Sequence, residues 1–162
     1  MSELSAKDQT LLTNTLHETG VFVTCGLETP NIMVTHWGAL GTFWGRDVFI
    51  LPIRSCKYSY QIVTKTKSFA LNVPTRDMRT EISLCDTLSG LKCNKFETLG
   101  LHPKRARGID AYILGECGLI VECKTVAVIS PENIEQQVEG LISSKLPHTL
   151  FVGEISDAYR LK

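Results

Sequence analysis

The sequence predicts a mainly β chain: an antiparallel barrel, closed or split and Greek-key-like, ringed by peripheral helices. Three observations carry that expectation. Apolar, β-rich runs at residues 20–27, 31–37, 48–53, 68–73, 111–129 and 148–155 are separated by glycine, proline or polar punctuation. Segments with helical spacing are short and do not alternate one-for-one with those runs. The first two runs are joined only by Glu28, Thr29 and Pro30, which suits an antiparallel hairpin and is far too short for a parallel crossover.

Taken in order, Ser5 caps a first helix with Asp8 three residues on, Leu12 and Leu16 share its inner face, and Gly20 ends it. The strand at 20–27 and the strand at 31–37 follow. Gly38, Gly41 and Gly45 punctuate a connection to the strand at 48–53; because a strand and not a helix follows them, they make no dinucleotide fingerprint. After Ile53 the period changes: Tyr58, Ile62 and Val63 share a helical face, with Lys65 and Lys67 at its C-terminal end. The strand at 68–73 stops at Pro74. Met78, Ile82 and Cys85 space as a helix, Gly90 ends that region, and residues 95–99 form a short helix. The basic run 102–108 reads as a solvated loop. The long β-rich stretch 111–129 breaks near Gly115 and Gly118, and its partial alternation over 117–124 predicts one wet face. Ser130, Pro131 and Glu132 predict a helix start that Ile134, Val138, Leu141 and Ile142 continue until Pro147. The strand at 148–155 is the last.

Composition narrows the function. One domain over residues 1–162 is expected, with 17 basic and 17 acidic side chains in balance, so neither nucleic acid nor an anionic membrane is indicated as a partner. No apolar run reaches the ~20 residues of a membrane helix, no export signal opens the chain, and a cytoplasmic location is expected. Six cysteines occur without a C-x-x-C pair, so they read as reduced and mostly structural, and no metal site is expected.

Two clusters could carry chemistry. Arg54, Ser55, Lys57 and Ser59 lie where a helix begins, and the free N–H groups and dipole of a helix start already favour an anion. Ser55 as a simple N-cap beside solvated basic residues is the plainer alternative. Asn31 with Thr35, His36 and Trp37 offers strand-edge hydrogen bonding and an aromatic wall, as a flat ring requires, although a core tryptophan and histidine would read the same way.

Together, Trp37-Gly38, Trp44-Gly45, VFILPIRSCKYSY, CDTLSGLKCNKFETLGL and the C-terminal HTLFVGEI resemble the flavin-reductase-like FMN-binding family with the split-barrel fold. The resemblance runs from Gly20 to the C-terminal strand. It implies that Arg54, Cys56, Lys57 and Ser59 stand at the FMN phosphate, where the family reads R-P-S-R-Y-T. It also implies that Ser89 and Lys95 persist from S-G-R-D-x-D-K-F, that Asn31, Thr35, His36 and Trp37 match the flavin-edge segment, and that His148 matches a histidine of the last strand. A thiol at Cys56 is a poorer donor than the family's hydroxyl, and Lys57 keeps the charge of an arginine without its bidentate geometry. The implied assembly is a homodimer with flavin near the subunit boundary.

The leading expectation is therefore a flavoprotein oxidoreductase that takes hydride from NAD(P)H onto non-covalent FMN and passes electrons to free flavin or a redox protein. Cofactor residues are expected but no catalytic acid or base, with Lys95 or His148 near the ring stabilising reduced anionic flavin. The alternatives are an FMN electron carrier without efficient NAD(P)H turnover and, more remotely, a non-enzymatic ligand-binding or redox-sensing barrel. A hydrolase is disfavoured, since no G-x-S-x-G elbow occurs.

Overall fold

The computed structural model describes residues 4–142 and 145–162. Its frame is a seven-stranded antiparallel sheet in the order β2-β1-β5-β8-β9-β4-β3. The strands are β1 (Val21–Cys25), β2 (Asn31–Thr35), β3 (Ala39–Phe43), β4 (Arg46–Arg54), β5 (Ser68–Val73), β8 (Leu119–Ile129) and β9 (His148–Arg160). A separate hairpin pairs β6 (Pro103–Arg105) with β7 (Tyr112–Leu114). The helices are α1 (Ala6–Glu18), α2 (Tyr58–Thr66), α3 (Arg79–Thr87) and α4 (Lys95–Leu99).

The sheet coils until its strands share one interior. Val21 and Val23 of β1, Met33 of β2, Phe49, Leu51 and Ile53 of β4, Phe69 and Leu71 of β5, Val121 and Cys123 of β8 and Phe151 of β9 meet in a single apolar cluster, which α1 and α2 close with Leu12, Leu16, Ile62 and Val63. Register shifts in the β8–β9 pairing at Glu122/Cys123 and at Thr125/Ala127 supply the bend. Gly153 of β9 allows the turn to be tight, since a Cβ there would sit 2.5 Å from the Phe69 ring.

A second cluster covers the outer face of β2-β1-β5-β8. Phe22, Ile32, Val34, Ala70 and Ile120 pack there under Met78, Ile82 and Cys85 of α3, Phe96 of α4 and Ile113 and Leu114 of β7. Strands covered on both faces read as continuous apolar runs, which is why β1, β2 and β5 are wholly buried.

This double cover corrects one expectation. The first half of β8 has no wet face: Glu122 is fully buried, and exposure alternates only from Lys124 onward. The carboxylate is held from outside the sheet. Its oxygens accept from the N–H of Arg107 (2.7 Å), the N–H of Gly108 (2.7 Å) and the Tyr159 hydroxyl (2.6 Å). The run 102–108 is thus no free loop, because part of it is β6 and part clamps Glu122. Asn72 fastens the same hairpin, accepting from Leu114 N–H while donating to Thr24, whose hydroxyl donates to the Tyr112 carbonyl.

Three further expectations change. The glycine-punctuated connection contains β3, which pairs with β4 through a turn at Trp44 and Gly45, both at positive φ (52° and 71°). The helix expected between Pro131 and Pro147 stops after one 3-10 turn, Pro131–Asn133. Val138 and Leu141 are 61% and 70% exposed, and a short helix with no surface to pack its apolar face on is not stable alone. Residues 143–144 of that expected helix lie outside the described residues. β9, finally, runs five residues past the expected end at 155.

The cysteines are free thiols, with Cys25, Cys85, Cys117 and Cys123 buried, Cys93 half-buried and Cys56 exposed. Burial pushes the Cys25 thiol up to about 12 and Cys85 to about 11, so both stay protonated at neutral pH. No helix among the described residues is long and apolar enough to cross a membrane.

Candidate functional site

The candidate residues are distributed along β2, from the start of α2 at one end to the start of β9 at the other. Asn31 opens β2 and is buried with its side-chain Nδ2 donating to the Ser59 hydroxyl at 2.8 Å. Ser59, in the first turn of α2, is also buried. Its hydroxyl accepts this bond and also lies within hydrogen-bonding reach of the buried Cys25 thiol. Lys57 is the N-cap residue of α2, extended and without a side-chain capping bond. In the first turn of α2 the Tyr60 N–H already donates to the Lys57 carbonyl at 3.0 Å, while the N–H groups of Tyr58 and Ser59 precede the first i→i−4 bond.

Lys95 enters the same end from α4. Its ammonium is buried and donates to the Cys85 carbonyl at 2.8 Å, with the Cys85 thiol 4.0 Å away. Burial first, and the nearby Lys57 charge among the lesser causes, hold its pKa below the ordinary lysine value. Lys57 itself lies 3.9 Å from Asp86 at the end of α3. Gly90 completes this end, since a Cβ there would overlap the Asn31 amide. Next to it Ser89 is half-buried and accepts from the Leu91 N–H. Two lysines, the Ser59 hydroxyl and a helix start therefore converge on one spot with one carboxylate nearby.

The other end is aromatic. Six residues of extended chain, about 20 Å, separate Asn31 from Trp37. The Thr35 hydroxyl donates to the Trp37 carbonyl (2.6 Å) and fixes the step. Trp37 is 60% exposed, and its ring lies 5.1 Å from the His148 ring at 60°. Arg54, across the β4–β9 pairing from His148, donates from Nε to His148 Nε2 at 3.4 Å. That leaves the imidazole proton on Nδ1.

Of the sequence-derived site residues, Asn31, Lys57, Ser59, Ser89 and Lys95 gather at the first end, and Thr35, Trp37, Arg54 and His148 at the second. The Arg54 guanidinium stands with the aromatic pair, although its carbonyl accepts from the Lys57 N–H at 3.0 Å. His36 belongs to neither: it packs against Gly20 in the bend just past the end of β2. Cys56 is exposed beside Lys57. Asp86 and Gly90 were not singled out as ligand groups by the sequence; their only signal was membership of the run CDTLSG.

His148 gives a pH test. Burial, and secondarily the Arg54 charge, lower its pKa from the ordinary 6.5. The unfolded chain therefore takes up this proton first as pH falls, and the folded state pays below the folded pKa. Stability contributed by neutral His148 returns as pH rises through the folded value toward 6.5. His148→Gln is expected to remove that segment of the stability curve, read by urea denaturation from about pH 5 to pH 7. A variant curve superimposable on the wild type would show that the ring titrates as if free.

Comparison with known proteins follows the same lines. Residues 13–161 match the flavin reductase-like domain family. An uncharacterized protein of Archaeoglobus fulgidus is 27% identical over 133 residues, covering 82% of this chain and 67% of that one. The fold is similar to flavoredoxin of Desulfovibrio vulgaris (TM-score 0.69, 24% identity, 87% of this chain and 68% of that one). It is also similar to a Streptomyces globisporus NADH:FAD oxidoreductase (0.68, 18%, 99% and 87%). A third similar structure is an FMN-binding protein of Thermus thermophilus (0.69, 15%, 87% and 69%).

Proposed function

The chain belongs to the flavin reductase-like family of flavoprotein oxidoreductases, and from that premise we propose that it holds FMN along β2 and exchanges electrons between NAD(P)H and an acceptor flavin or redox protein. The observation that carries the reading is the convergence of Lys57, Lys95 and Ser59 at the start of α2, with the exposed Trp37–His148 pair at the other end of β2. The residues fit the cofactor. A phosphate needs cations and donors at one end, and Gly90 keeps that end open where any side chain would collide with Asn31. A flat ring needs an apolar or aromatic wall at the other.

FMN, when bound, would supply the redox chemistry, with Lys57, Lys95, Ser59, Trp37 and His148 as the residues that would hold it. The chain's own work is placement. Lys57 and Lys95 neutralise the phosphate, Asn31 orients Ser59, and Thr35 pins the Trp37 backbone. Neutral His148, held by Arg54, offers an Nδ1–H donor at the aromatic end. Lys95 sits with the phosphate group, so His148 is the residue left to act near the ring.

The exposed edge strand β3 and the exposed, edge-to-face Phe43 and Trp44 support the accompanying proposal of a homodimer. The cytoplasm is the proposed location.

Reconstitution with FMN followed by anaerobic stopped-flow mixing with NADH and NADPH tests the function. Visible flavin bands that bleach with saturable dependence on one nucleotide are expected. A chain that retains no flavin after desalting would overturn the proposal, and retained flavin that neither nucleotide bleaches would leave an electron carrier instead.

A further inference from the structure

A polar cavity lies apart from these residues, on the outer face of the sheet. It has a volume of about 520 Å3 and lies between residues 66–68 and 124–125 on one side and the segment 105–110 on the other. Lys67, Arg105, Arg107 and Lys124 all line it. The acidic groups facing it are Asp110 and the buried Glu122 carboxylate, whose oxygens are already taken by Arg107 N–H, Gly108 N–H and Tyr159. Arg107 lies over the Tyr159 ring and 4.0 Å from Asp157. Among the described residues no ion pair engages Lys67, Arg105 or Lys124. The cavity therefore carries uncompensated positive charge.

Ser68 supplies an independent sign. It is only 4% exposed, yet its hydroxyl has no hydrogen-bond partner. Its direction follows from register. Ser68 pairs with Lys124 and Ala70 with Glu122, and directly opposed residues of an antiparallel pair share a face. Ala70 lies in the outer cluster and Glu122 reaches outward to Gly108, so Ser68 points to the same side, under the segment 105–110. A buried hydroxyl without a partner is costly and calls for an explanation. Here it lies beside unpaired cations, in a cavity of small-molecule size. Lys67, the residue before it, turns into the left-handed region (φ 54°). A donor hydroxyl flanked by Lys and Arg is the donor set of a phosphate site.

We propose that this cavity binds a phosphate dianion, either free or as the phosphate end of a nucleotide. The neighbouring cavity of about 370 Å3 shares Thr66 and Asp110 with it and carries Leu27, Tyr58 and Ile62, surfaces on which a nucleotide base can lie. The cavity is independent of the flavin site, whose cations are Lys57 and Lys95.

Isothermal titration of the FMN-saturated chain with inorganic phosphate and with AMP tests the assignment. Both are expected to bind. Lys124→Gln is expected to weaken both at least tenfold and Ser68→Ala several-fold, while Lys7→Gln, at an exposed position outside the cavity, leaves them unchanged. Lys124 is exposed and Ser68→Ala deletes one atom, so neither change threatens the fold; Arg105→Gln provides a further exposed variant. AMP binding ten times tighter than phosphate identifies a nucleotide, and equal affinities identify the free anion. Absence of binding by either probe would overturn the proposal and assign the Ser68 hydroxyl to a water. Binding that Lys124→Gln and Arg105→Gln leave intact, or that Lys7→Gln abolishes, would equally overturn it.

Discussion

Glu122→Ala is expected to destabilise the folded chain by about 2–4 kcal/mol, because it leaves one buried and two partly buried hydrogen-bond donors without their acceptor. The size follows from what stays behind. The N–H groups of Arg107 and Gly108 and the Tyr159 hydroxyl all point at the lost oxygens; a buried donor left without an acceptor costs about 1–3 kcal/mol, and the two part-buried N–H groups cost less because water reaches them. Removing Tyr159 alone is milder. Tyr159→Phe leaves the carboxylate two donors, and about 1–2 kcal/mol is expected. The two effects share one contact, so they should not add: in the Glu122→Ala background, Tyr159→Phe should cost little more. Urea denaturation of both single variants and the double variant reads the coupling. Additive losses would mean that the Tyr159–Glu122 bond at 2.6 Å contributes nothing of its own.

The reason Glu122 was misread in the sequence is physical. In LIVECK the acid alternates with apolar neighbours, and alternation alone reports only that two faces differ. Here the outer face is covered too, by backbone arriving from about fifteen residues upstream, and that information is non-local. The strands themselves were legible because burial on both faces left unbroken apolar runs at 21–25, 31–35 and 68–73. The start of α1 was legible because Ser5 and Asp8 form a local cap, as the Asp8 N–H to Ser5 bond confirms. β3 was not legible. It is exposed at nearly every position, carries Gly41 and turns through Trp44, a residue that rarely takes positive φ.

The candidate site divides the same way. The change of period after Ile53 marked where Lys57 and Ser59 would meet a helix start, because a strand-to-helix junction is a local event. Which of the other basic groups joins them is not. Arg54 is three residues from Lys57, yet β4–β9 pairing turns it toward His148. Lys95 is thirty-eight residues away and arrives at the same spot through the packing of α3 and α4 against β2. His36 lies in the bend just past the end of β2, where its ring packs against Gly20 while Thr35 holds the Trp37 backbone.

Lys95→Met is expected to lower FMN affinity about 10–100-fold, equivalent to losing one charge-assisted hydrogen bond of about 1.5–3 kcal/mol, while leaving the unliganded chain as stable or more so. Lys95 is 7% exposed and stands in the first turn of α4, where the helix dipole disfavours a cation. Within the chain its ammonium gains the Cys85 carbonyl at 2.8 Å and a thiol at 4.0 Å, and no carboxylate ion pair engages it among the described residues. Burial accordingly lowers its pKa. The sign follows: below the folded pKa the buried charge burdens the fold, and stability rises as pH climbs through that value toward 10.5. Lys95→Met should abolish that alkaline rise. A charge that the fold holds at a loss makes sense if an anion repays it, and riboflavin, which lacks the phosphate, separates the two ends of the site. Fluorescence titration should show FMN binding weakened and riboflavin binding unchanged. Equal losses for both ligands would move Lys95 from the phosphate to the ring, and no loss for either would leave the lysine without a part in flavin binding.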